Sequence, residues 1–527
     1  MNPRERAGAL WQRAETALDR VGGGGAMNPL RHLGALAFLC FWLLATSGIY
    51  LYAVLDTSAT GAYRSIDDLA RDQWFLGGWL RSLHRYAADA FVVTMLAHLL
   101  REFLLGRYRA FRRFSWLTGV PLLPLAFVAA IGGFWLNWDR LGQFSAVATA
   151  EFLDWLPFFG SPLTRNFIGV ESVSDRLFSL FVFVHLGVPL LIVFAMWFHI
   201  QRLAHAEAFP PRRLAWTVTG SLIALALALP VMSQGPADLA LAPATVALDW
   251  WLLFIHPLVE ATSAGAVWLL LAGTLIALLA LPFVPQVLRQ SGPQRIARTA
   301  PTPVAVVDPA NCNGCRRCFD DCPYTAITMV PHPNGRRGRQ LAQVDADLCA
   351  SCGICVGACP SSTPFRKGAV LVTGIDMPQT PINALRERME SALARMPRDR
   401  PKWVVVGCDH GAQVASLEAA DVAAFSLICT GLLPPSFVEY ALRGGADGVL
   451  VAGCCEGGCA FRLGQRWTQA RLQGLREPHL RRSVPGDRWA TVWADAGNEA
   501  AVAAALSALR LRASGAAASP HATLRHG

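Results

Sequence analysis

The chain has 527 residues, and a single hydrophobic core stops growing well below that length, so one small domain is excluded. Apolar residues make up 53% of the chain and charged residues 16%, which excludes a wholly soluble or disordered protein. The net charge of +10 comes from arginines in short loops between apolar runs rather than from one basic face, so we expect a membrane and no nucleic acid as partner.

Six apolar runs in the first 290 residues are long enough to cross a bilayer, which requires about 20 helical residues. They occupy residues 33–55, 74–104, 114–138, 177–201, 214–237 and 261–288. Arginines concentrate before the first run, after the second, after the fourth and after the sixth, and short arginine-rich connections face the cytoplasm. We therefore expect an integral protein of a bacterial inner membrane, with lipid around six spans and both termini in the cytoplasm.

Two of these runs carry histidines at one repeated interval. His84 and His98 are fourteen residues apart in the second run, and His185 and His199 are fourteen apart in the fourth. Fourteen residues make nearly four helical turns, so each pair lies on one helix face with a separation of roughly 21 Å along the axis. The shared direction of the two helices pairs His84 with His185 near the outer face and His98 with His199 near the inner face. Each pair could hold one haem by both axial positions, whereas the alternative is that the histidines bond to neighbours or line a cavity.

Glycines repeat the same interval in the first and third runs, at Gly34 and Gly48 and at Gly119 and Gly133. A missing side chain would let a flat macrocycle approach the backbone.

Four stretches of the membrane half match a known pattern: WLRSLHRYAADAF, HLLREFLLG, SWLTGV and GSPL. Through them residues 30–205 resemble the four-helix haem-binding part of cytochrome b from quinol-oxidising complexes, in its chloroplast-like form. The resemblance implies two b haems, with Arg81 and Arg101 meeting haem propionates. The family's arginine before the first fourth-helix histidine is replaced by Leu180, and its covalent-haem cysteine by His32, so no third haem is expected.

The sequence after residue 206 contains PAD at 236–238 and LDWW at 248–251. Residues 206–290 thereby resemble the smaller partner subunit of the same complexes, which has Pro-Glu-Trp-Tyr at the second motif. The resemblance implies that Asp249 is the carboxylate of an outer quinone site. The alternative is that Asp249 caps a short interfacial helix before Trp250 and Trp251.

The cysteine half opens with the spacing C-x2-C-x2-C-x3-C-P, which occurs twice. This is the pattern of bacterial two-cluster ferredoxins, in which the fourth cysteine of each run ligates the cluster of the other run. It predicts two [4Fe-4S] clusters, the first held by Cys312, Cys315, Cys318 and Cys359 and the second by Cys349, Cys352, Cys355 and Cys322. Zinc sites use four cysteines in two pairs, and disulfides are rare in the cytoplasm, so both alternatives are disfavoured.

Three short apolar runs near the C-terminus, WVVVGC, FSLIC and GVLVAGC, each end at a cysteine and predict strands of a small α/β domain. Their cysteines and one more form the pattern C-x20-C-x24-C-x4-C, which could bind zinc or be partly structural: Cys408, Cys429, Cys454 and Cys459. Residues 401–475, through ADGVLVAGC and EGGC, resemble the delta subunit of methyl-viologen-reducing hydrogenases. That resemblance implies one [2Fe-2S] cluster, with Cys455 at the family's histidine position and not a ligand.

The predicted fold is therefore multi-domain: an all-α transmembrane haem-binding bundle, an α+β ferredoxin-like domain and a small α/β iron–sulfur domain. The predicted boundaries are an N-terminal segment at 1–32, the haem domain at 33–205, two further spans at 206–288, a linker at 289–306, the ferredoxin domain at 307–368, a connection at 369–400 with a helix at 382–396, the last domain at 401–510 and a disordered tail at 511–527.

These parts predict an electron-transfer subunit that links the quinone pool to cytoplasmic oxidoreductase subunits. The partner would be a hydrogenase, a formate dehydrogenase or a heterodisulfide-reductase-like flavoprotein, because the chain has no dinucleotide fingerprint and no P-loop of its own. Two alternatives are a quinol-oxidising cytochrome b of a proton-translocating bc-type complex and a redox sensor.

Overall fold

The computed structural model describes residues 3–158, 173–241, 245–284, 303–334 and 339–515, together with Leu163 and Ile168. The chain divides into two compact units. The first comprises residues 1–11, 27–201 and 207–285, and the second comprises residues 12–26, 202–206 and 286–527. Most of the predicted linker, most of the GSPL stretch and the tail beyond residue 515 lie outside the described residues.

The described part of the chain before residue 285 is helical. Its helices are α1 (Pro3–Val21), α2 (Leu33–Val54), α3 (Ala62–Arg71), α4 (Trp79–Leu104), α5 (Arg113–Gly119), α6 (Leu122–Asn137), α7 (Arg140–Asp154), α8 (Asp175–Ile200), α9 (Arg212–Ala228), α10 (Ile255–Ala261) and α11 (Ala264–Ala280). Helix α2 packs along α4, and α6 packs along α8. An apolar cluster joins these four helices, and small residues in it, such as Ala37, Ala126 and Ala129, let the helices approach closely.

Four helical segments of the described chain have the length and apolar character of membrane spans: Leu33–Val54, Arg113–Asn137, Asp175–Ile200 and Ala264–Phe283. They correspond to four of the six predicted spans. The second predicted span forms the long helix α4, but its charged residues make it less apolar than these four segments. The fifth predicted span forms only the 17 residues of α9. The four apolar segments indicate a membrane protein.

The second unit begins with two small antiparallel sheets around the two cysteine runs. Strand β1 (Val306–Val307) pairs with β4 (Ile375–Asp376), and β2 (Ile327–Pro331) pairs with β3 (Gln340–Val344). Each run contains one short helix, α12 (Arg317–Asp321) and α13 (Ile354–Ala358). The loops before these helices require left-handed backbone at Gly314 and Gly353, which glycine adopts without strain.

The C-terminal part is a four-stranded parallel sheet in the order β6-β5-β7-β8. Its strands are β5 (Trp403–Cys408), β6 (Val422–Leu427), β7 (Gly448–Gly453) and β8 (Trp489–Trp493). The helices of this part are α14 (Ile382–Arg395), α15 (Ser436–Arg443), α16 (Gly464–Leu472) and α17 (Glu499–Ala513), so the first three residues of the predicted tail are helical.

Alternate residues of strand β5 enter different apolar clusters: Val404 and Val406 join one, and Trp403 and Val405 join the other. Both faces of the sheet are therefore covered, as parallel sheets require. Three of the strands coincide with the predicted apolar runs, whereas β8 was not predicted.

One apolar core joins the two parts of the second unit. It contains Cys355 and Val356 from the ferredoxin part together with Val404, Phe425 and Val451 from the parallel sheet. The segment 202–206 also belongs to this unit, where Ala204 N donates a hydrogen bond to Pro323 O over 3.0 Å. The predicted boundary near residue 400 therefore separates sequence motifs but does not separate two independent cores.

Candidate metal centres

The first predicted histidine pair is brought together. The ring centroids of His84 and His185 are 6.2 Å apart, a separation compatible with one metal atom bound between the two imidazoles. His84 Nδ1 lies 3.0 Å from Ser47 Oγ, and His185 Nδ1 lies 2.8 Å from Ala129 O. A carbonyl oxygen only accepts, so His185 Nδ1 carries the proton and Nε2 is the nitrogen left for a metal. Metal-binding histidines are held in this way by their second nitrogen.

The second predicted pair has a similar arrangement. His98 and His199 are close enough for a charge on one ring to affect the other. His199 Nδ1 lies 3.2 Å from Thr118 Oγ1. Both rings are held between helices, since His98 is on α4 and His199 is on α8. The structure thus places two histidine pairs between the same two helices.

Each of the four predicted glycines faces one histidine ring. An added Cβ would lie close to a Cε1 atom in every case: 3.3 Å away for Gly34 and His98, 3.1 Å for Gly48 and His84, 2.8 Å for Gly119 and His199, and 2.9 Å for Gly133 and His185. Distances of about 3 Å are too short for carbon atoms that do not move apart. The glycines therefore make room for the imidazole rings themselves, and each glycine is matched to one histidine on a neighbouring helix.

The two predicted arginines are buried beside the histidines, and both have protein partners. Arg81 donates to Ile66 O at 3.3 Å, to Asn137 Oδ1 at 3.1 Å and to Ser233 Oγ at 2.9 Å. Arg101 donates to Glu102 Oε1 at 3.3 Å.

Glu102 also pairs with Arg107 and Arg112, and the sequence analysis did not single it out as a site residue. Its partly buried carboxylate adjoins Arg101, so it partly neutralises the cationic environment of the inner histidine pair. The sequence signal that could have identified Glu102 is a single acidic residue within an arginine-rich loop.

Asp249 caps a turn, as one of the two interpretations requires, and also forms an ion pair. Its Oδ1 accepts from Trp251 N at 3.1 Å and from Leu252 N at 2.8 Å, so it caps the turn that follows. Its Oδ2 forms an ion pair with Arg85, which also pairs with Asp89 at 2.7 Å. This pairing explains two charges of the second predicted span.

One further buried histidine was missed by the sequence analysis. His256 is 1% exposed and its Nε2 lies 3.1 Å from Ser145 Oγ. It stands seven residues after Asp249, without the fourteen-residue interval that marks the other four intramembrane histidines.

The eight ferredoxin-type cysteines are free thiols that fall into two groups. Burial raises the pKa of Cys318 to about 12, and the thiols of Cys359, Cys315 and Cys312 add to this effect. Burial likewise raises the pKa of Cys352, whose neighbours include Cys322 and Cys349. The fourth cysteine of each run therefore lies with the first three of the other run. A metal bound at each group would replace the thiol protons and stabilise the thiolates.

The four C-terminal cysteines also converge, at the carboxyl ends of the parallel strands. Cys408 Sγ lies 3.6 Å from Cys454 Sγ, and Cys459 packs against both residues. An added Cβ at Gly464 would overlap Cys429 Sγ and lie 3.5 Å from Cys459 Sγ, so a glycine is required beside these sulfurs. Hydrogen bonds from Cys429 and Cys454 lower the pKa of the Cys408 thiol to about 3, so this buried group already favours thiolate.

Cys455 is directed away from the four. Its Sγ donates to Trp493 O at 3.2 Å, and its backbone N donates to Asp495 Oδ1 at 3.1 Å. These contacts tie Cys455 to the end of β8.

Comparison with known proteins finds three families in chain order. Residues 24–207 match the family cytochrome b/b6, residues 311–363 match the 4Fe-4S dicluster domain, and residues 405–512 match the delta subunit of methyl-viologen-reducing hydrogenase. The resemblances to cytochrome b, to two-cluster ferredoxins and to the hydrogenase delta subunit are thereby confirmed, in the predicted order, whereas the resemblance of residues 206–290 to the smaller partner subunit stays a prediction.

A curated relative is the cytochrome b6 of Mesostigma viride. It is 32% identical over 178 residues, which are 33% of this chain and 80% of that protein. Among solved structures, a chain of a hyperthermophilic respiratory Complex III matches with a TM-score of 0.37 and 20% identity, over 48% of this chain and 74% of that chain.

Proposed function

The chain belongs to the cytochrome b/b6 family through residues 24–207, and we propose that it links the quinone pool to a cytoplasmic oxidoreductase. The family, the 4Fe-4S dicluster domain and the hydrogenase delta-subunit domain together make the chain a membrane electron-transfer subunit with haem and iron–sulfur groups. Beyond this, we propose how many haems and clusters the chain holds and which residues ligate them. We also propose a quinone and a cytoplasmic oxidoreductase as its partners. The observation that carries it is the convergence of four histidines and twelve cysteines into separate groups within one chain.

The histidines would hold two b-type haems, one between His84 and His185 and the other between His98 and His199. Such groups supply one-electron transfer when bound. With two histidines for each haem, no ligand position would remain for oxygen, which would favour electron transfer. The support is the hydrogen bonding of Nδ1 in His84, His185 and His199 and the one-to-one match of histidines with glycines. Arg81 and Arg101 are proposed to meet the propionates.

The eight cysteines would hold two [4Fe-4S] clusters with crossed ligation, supported by the grouping of Cys359 with the first run and Cys322 with the second. The four C-terminal cysteines would hold one [2Fe-2S] cluster. The match to the hydrogenase delta-subunit family, a resemblance that implies a [2Fe-2S] cluster, supports this assignment.

The membrane topology follows from the same assignment. All six sequence-predicted runs would span the bilayer, with α4 tolerated because Arg81, Arg85 and Arg101 are paired inside the protein. The arginine-rich connections would face the cytoplasm, together with the domains at 307–368 and 401–510. The quinone would bind near Asp249, on the outer side.

Isolation of the native complex tests the proposal. We expect two haems per chain, iron and acid-labile sulfide for three clusters, and a copurifying cytoplasmic oxidoreductase whose substrate reduces the haems. A Cys454→Ser chain should keep both haems and both four-iron clusters but lose haem reduction by the partner. Cys455→Ala is the matched control and should behave like the unmodified chain. Full partner-driven reduction in the Cys454→Ser complex would contradict the proposed role of the C-terminal domain.

A further inference from the structure

Arg471, on α16, is a fully buried arginine in the second unit, with 0% of its surface exposed. Its guanidinium reaches three separate chain segments. Nη1 donates to Gly431 O at 2.9 Å, and Nη2 donates to Ile354 O at 3.2 Å and to the carboxylate of Asp321. No sequence motif marks this residue.

Each of the three segments carries a cysteine next to the contacted residue. Asp321 precedes Cys322, and Ile354 precedes Cys355, and these two cysteines belong to the second four-cysteine group. Gly431 follows Cys429 of the C-terminal group by two residues, and Gly431 N donates to Cys429 Sγ at 3.4 Å. One side chain therefore bonds to a carboxylate and a backbone carbonyl beside two proposed ligands of one centre, and to a backbone carbonyl two residues from a proposed ligand of the next.

Asp321 compensates the buried charge. Its carboxylate is 3% exposed and is shared between Arg471 on one oxygen and Arg476 on the other, where Arg476 Nε donates at 2.7 Å. Arg476 stacks on Trp467, 3.6 Å from the ring centroid, and Trp467 Nε1 donates to Asp321 O at 3.2 Å. A buried ion pair contributes little net stability when its desolvation is counted, but loss of one partner leaves an uncompensated charge. Geometry is therefore the better explanation for retaining it.

The bridged segments are in direct contact. A Cβ at Gly357 would overlap Gly431 O and lie 2.6 Å from Arg471 Nη1, and a Cβ at Gly431 would lie 2.8 Å from Ile354 Cγ1. At Gly464 a Cβ would lie 3.7 Å from Ile354 Cδ1, beside the sulfurs of Cys429 and Cys459. The Ile354 side chain thus lies between the two cysteine groups.

We propose that Arg471 is a positioning residue that fixes the separation of the second four-cysteine group from the C-terminal group for electron transfer between them. The proposal rests on the proposed function, since it requires a redox centre at both groups. Arg471 acts through the segments of Cys322, Cys355 and Cys429 and ligates nothing itself. Electron-transfer rates fall steeply with distance, so a small opening of this contact slows transfer without removing either centre.

The test compares full-length Arg471→Met and Arg471→Lys proteins with the unmodified chain. We expect unchanged iron and sulfide content, a weaker magnetic interaction between the two reduced centres in electron paramagnetic resonance, and slower transfer between them after rapid reduction. The rate should fall in Arg471→Met, because the contact between the two groups would open and electron transfer slows steeply as the distance between the centres grows. Arg471→Lys should recover part of the loss, since it keeps the charge that pairs with Asp321.

Arg386→Met is the matched control, because Arg386 is also buried and bonds to backbone, at Ala369 O over 2.7 Å, away from the cysteines. It should leave the magnetic interaction and the rate unchanged. Gly357→Ala keeps Arg471 but forces the segments apart, so it should also weaken the magnetic interaction. This variant replaces Arg471→Met as the test if Arg471→Met loses iron.

Unchanged interaction and rate in Arg471→Met with full iron content, or in Gly357→Ala, would overturn the proposal. Absence of a C-terminal centre in the unmodified chain would instead contradict the proposed function.

Discussion

At the scale of single residues, the positions of the four histidine rings in the membrane half depend on small neighbouring residues as much as on the histidines themselves. The four glycines stand opposite the four histidines, and an added methyl group at any of them would press on an imidazole ring. The match is closest at Gly119, where an added Cβ would lie 2.8 Å from His199 Cε1. Hydrogen bonds to Nδ1 then fix the rotation of the rings. The position of each histidine ring therefore depends on its own helix and on the helix that carries the facing glycine.

Gly119→Ala should reduce occupancy of the inner haem and leave the outer haem intact, because His199 would have to move and His185 would not. His98→Ala gives the reference for complete loss, from two haems per chain to one. Haem content and the low-spin signals in electron paramagnetic resonance measure both effects. Gly187→Ala, on the same helix as His185 and with open space where its Cβ would stand, should change neither. Two fully occupied haems in His98→Ala would show that His98 is not an axial ligand.

At the scale of secondary-structure elements, short helices and strand ends collect the cysteines. Helices α12 and α13 each contain the third cysteine of a run and end one residue before the fourth, so the fourth cysteine is carried away from the first three. In the parallel sheet, β5 and β7 end at or next to cysteines, and neighbouring carboxyl ends share one edge. The packing of these helices and strands, rather than closeness in the sequence, thus brings the cysteines together in three groups.

Crossed ligation gives a specific expectation for the fourth cysteines. Cys359→Ala should damage the cluster of Cys312, Cys315 and Cys318, because Cys359 is grouped with Cys318. Spectroscopy of the variant, with iron analysis, should show the cluster of Cys349, Cys352 and Cys355 intact. Cys322→Ala is the reciprocal variant and should give the opposite pattern. Damage confined to the cluster of its own run in either variant would refute the crossed assignment.

At the scale of the whole molecule, the two histidine pairs are separated along the same helices by roughly 21 Å. Transfer from a cytoplasmic domain to an inner quinone site would need only the inner pair. The outer pair would then have no use, so we expect electrons to cross the membrane to an outer quinone site near Asp249, which pairs with Arg85. Movement of one charge across the membrane is worth about 2.3 kcal/mol per 100 mV, which is enough to change the poise between the centres.

Haem reduction by the cytoplasmic partner in sealed vesicles should therefore respond to an imposed potassium-diffusion potential. Asp249→Asn should lower quinone activity while haem content stays at two per chain, and Glu260→Gln is a control carboxylate in the same predicted outer connection. Outer-haem reduction that does not change with the potential, together with full quinone activity in Asp249→Asn, would contradict the role assigned to the outer pair.

The second unit behaves as one body in its packing. Residues of the ferredoxin part and of the parallel sheet share one apolar core, so removal of residues 401–527 would expose Cys355 and Val356 as well as delete a domain. Point substitutions of cysteines are therefore the cleaner test of the C-terminal domain. Sequence boundaries and packing boundaries differ here because motifs are local, whereas a core is shared wherever apolar faces meet.

The sequence alone determined the family resemblances, the histidine pairs and the cysteine groups, because ligand spacing is a local property of the chain. It also predicted three of the four parallel strands; β8 was missed because its residues are only half-buried and end at no cysteine. Only the tertiary structure could match Gly119 with His199 or unite Asp321, Ile354 and Gly431 on Arg471. Those contacts join residues about 40 to 150 positions apart, and no local pattern marks them, since they arise only where packed elements bring distant backbone together.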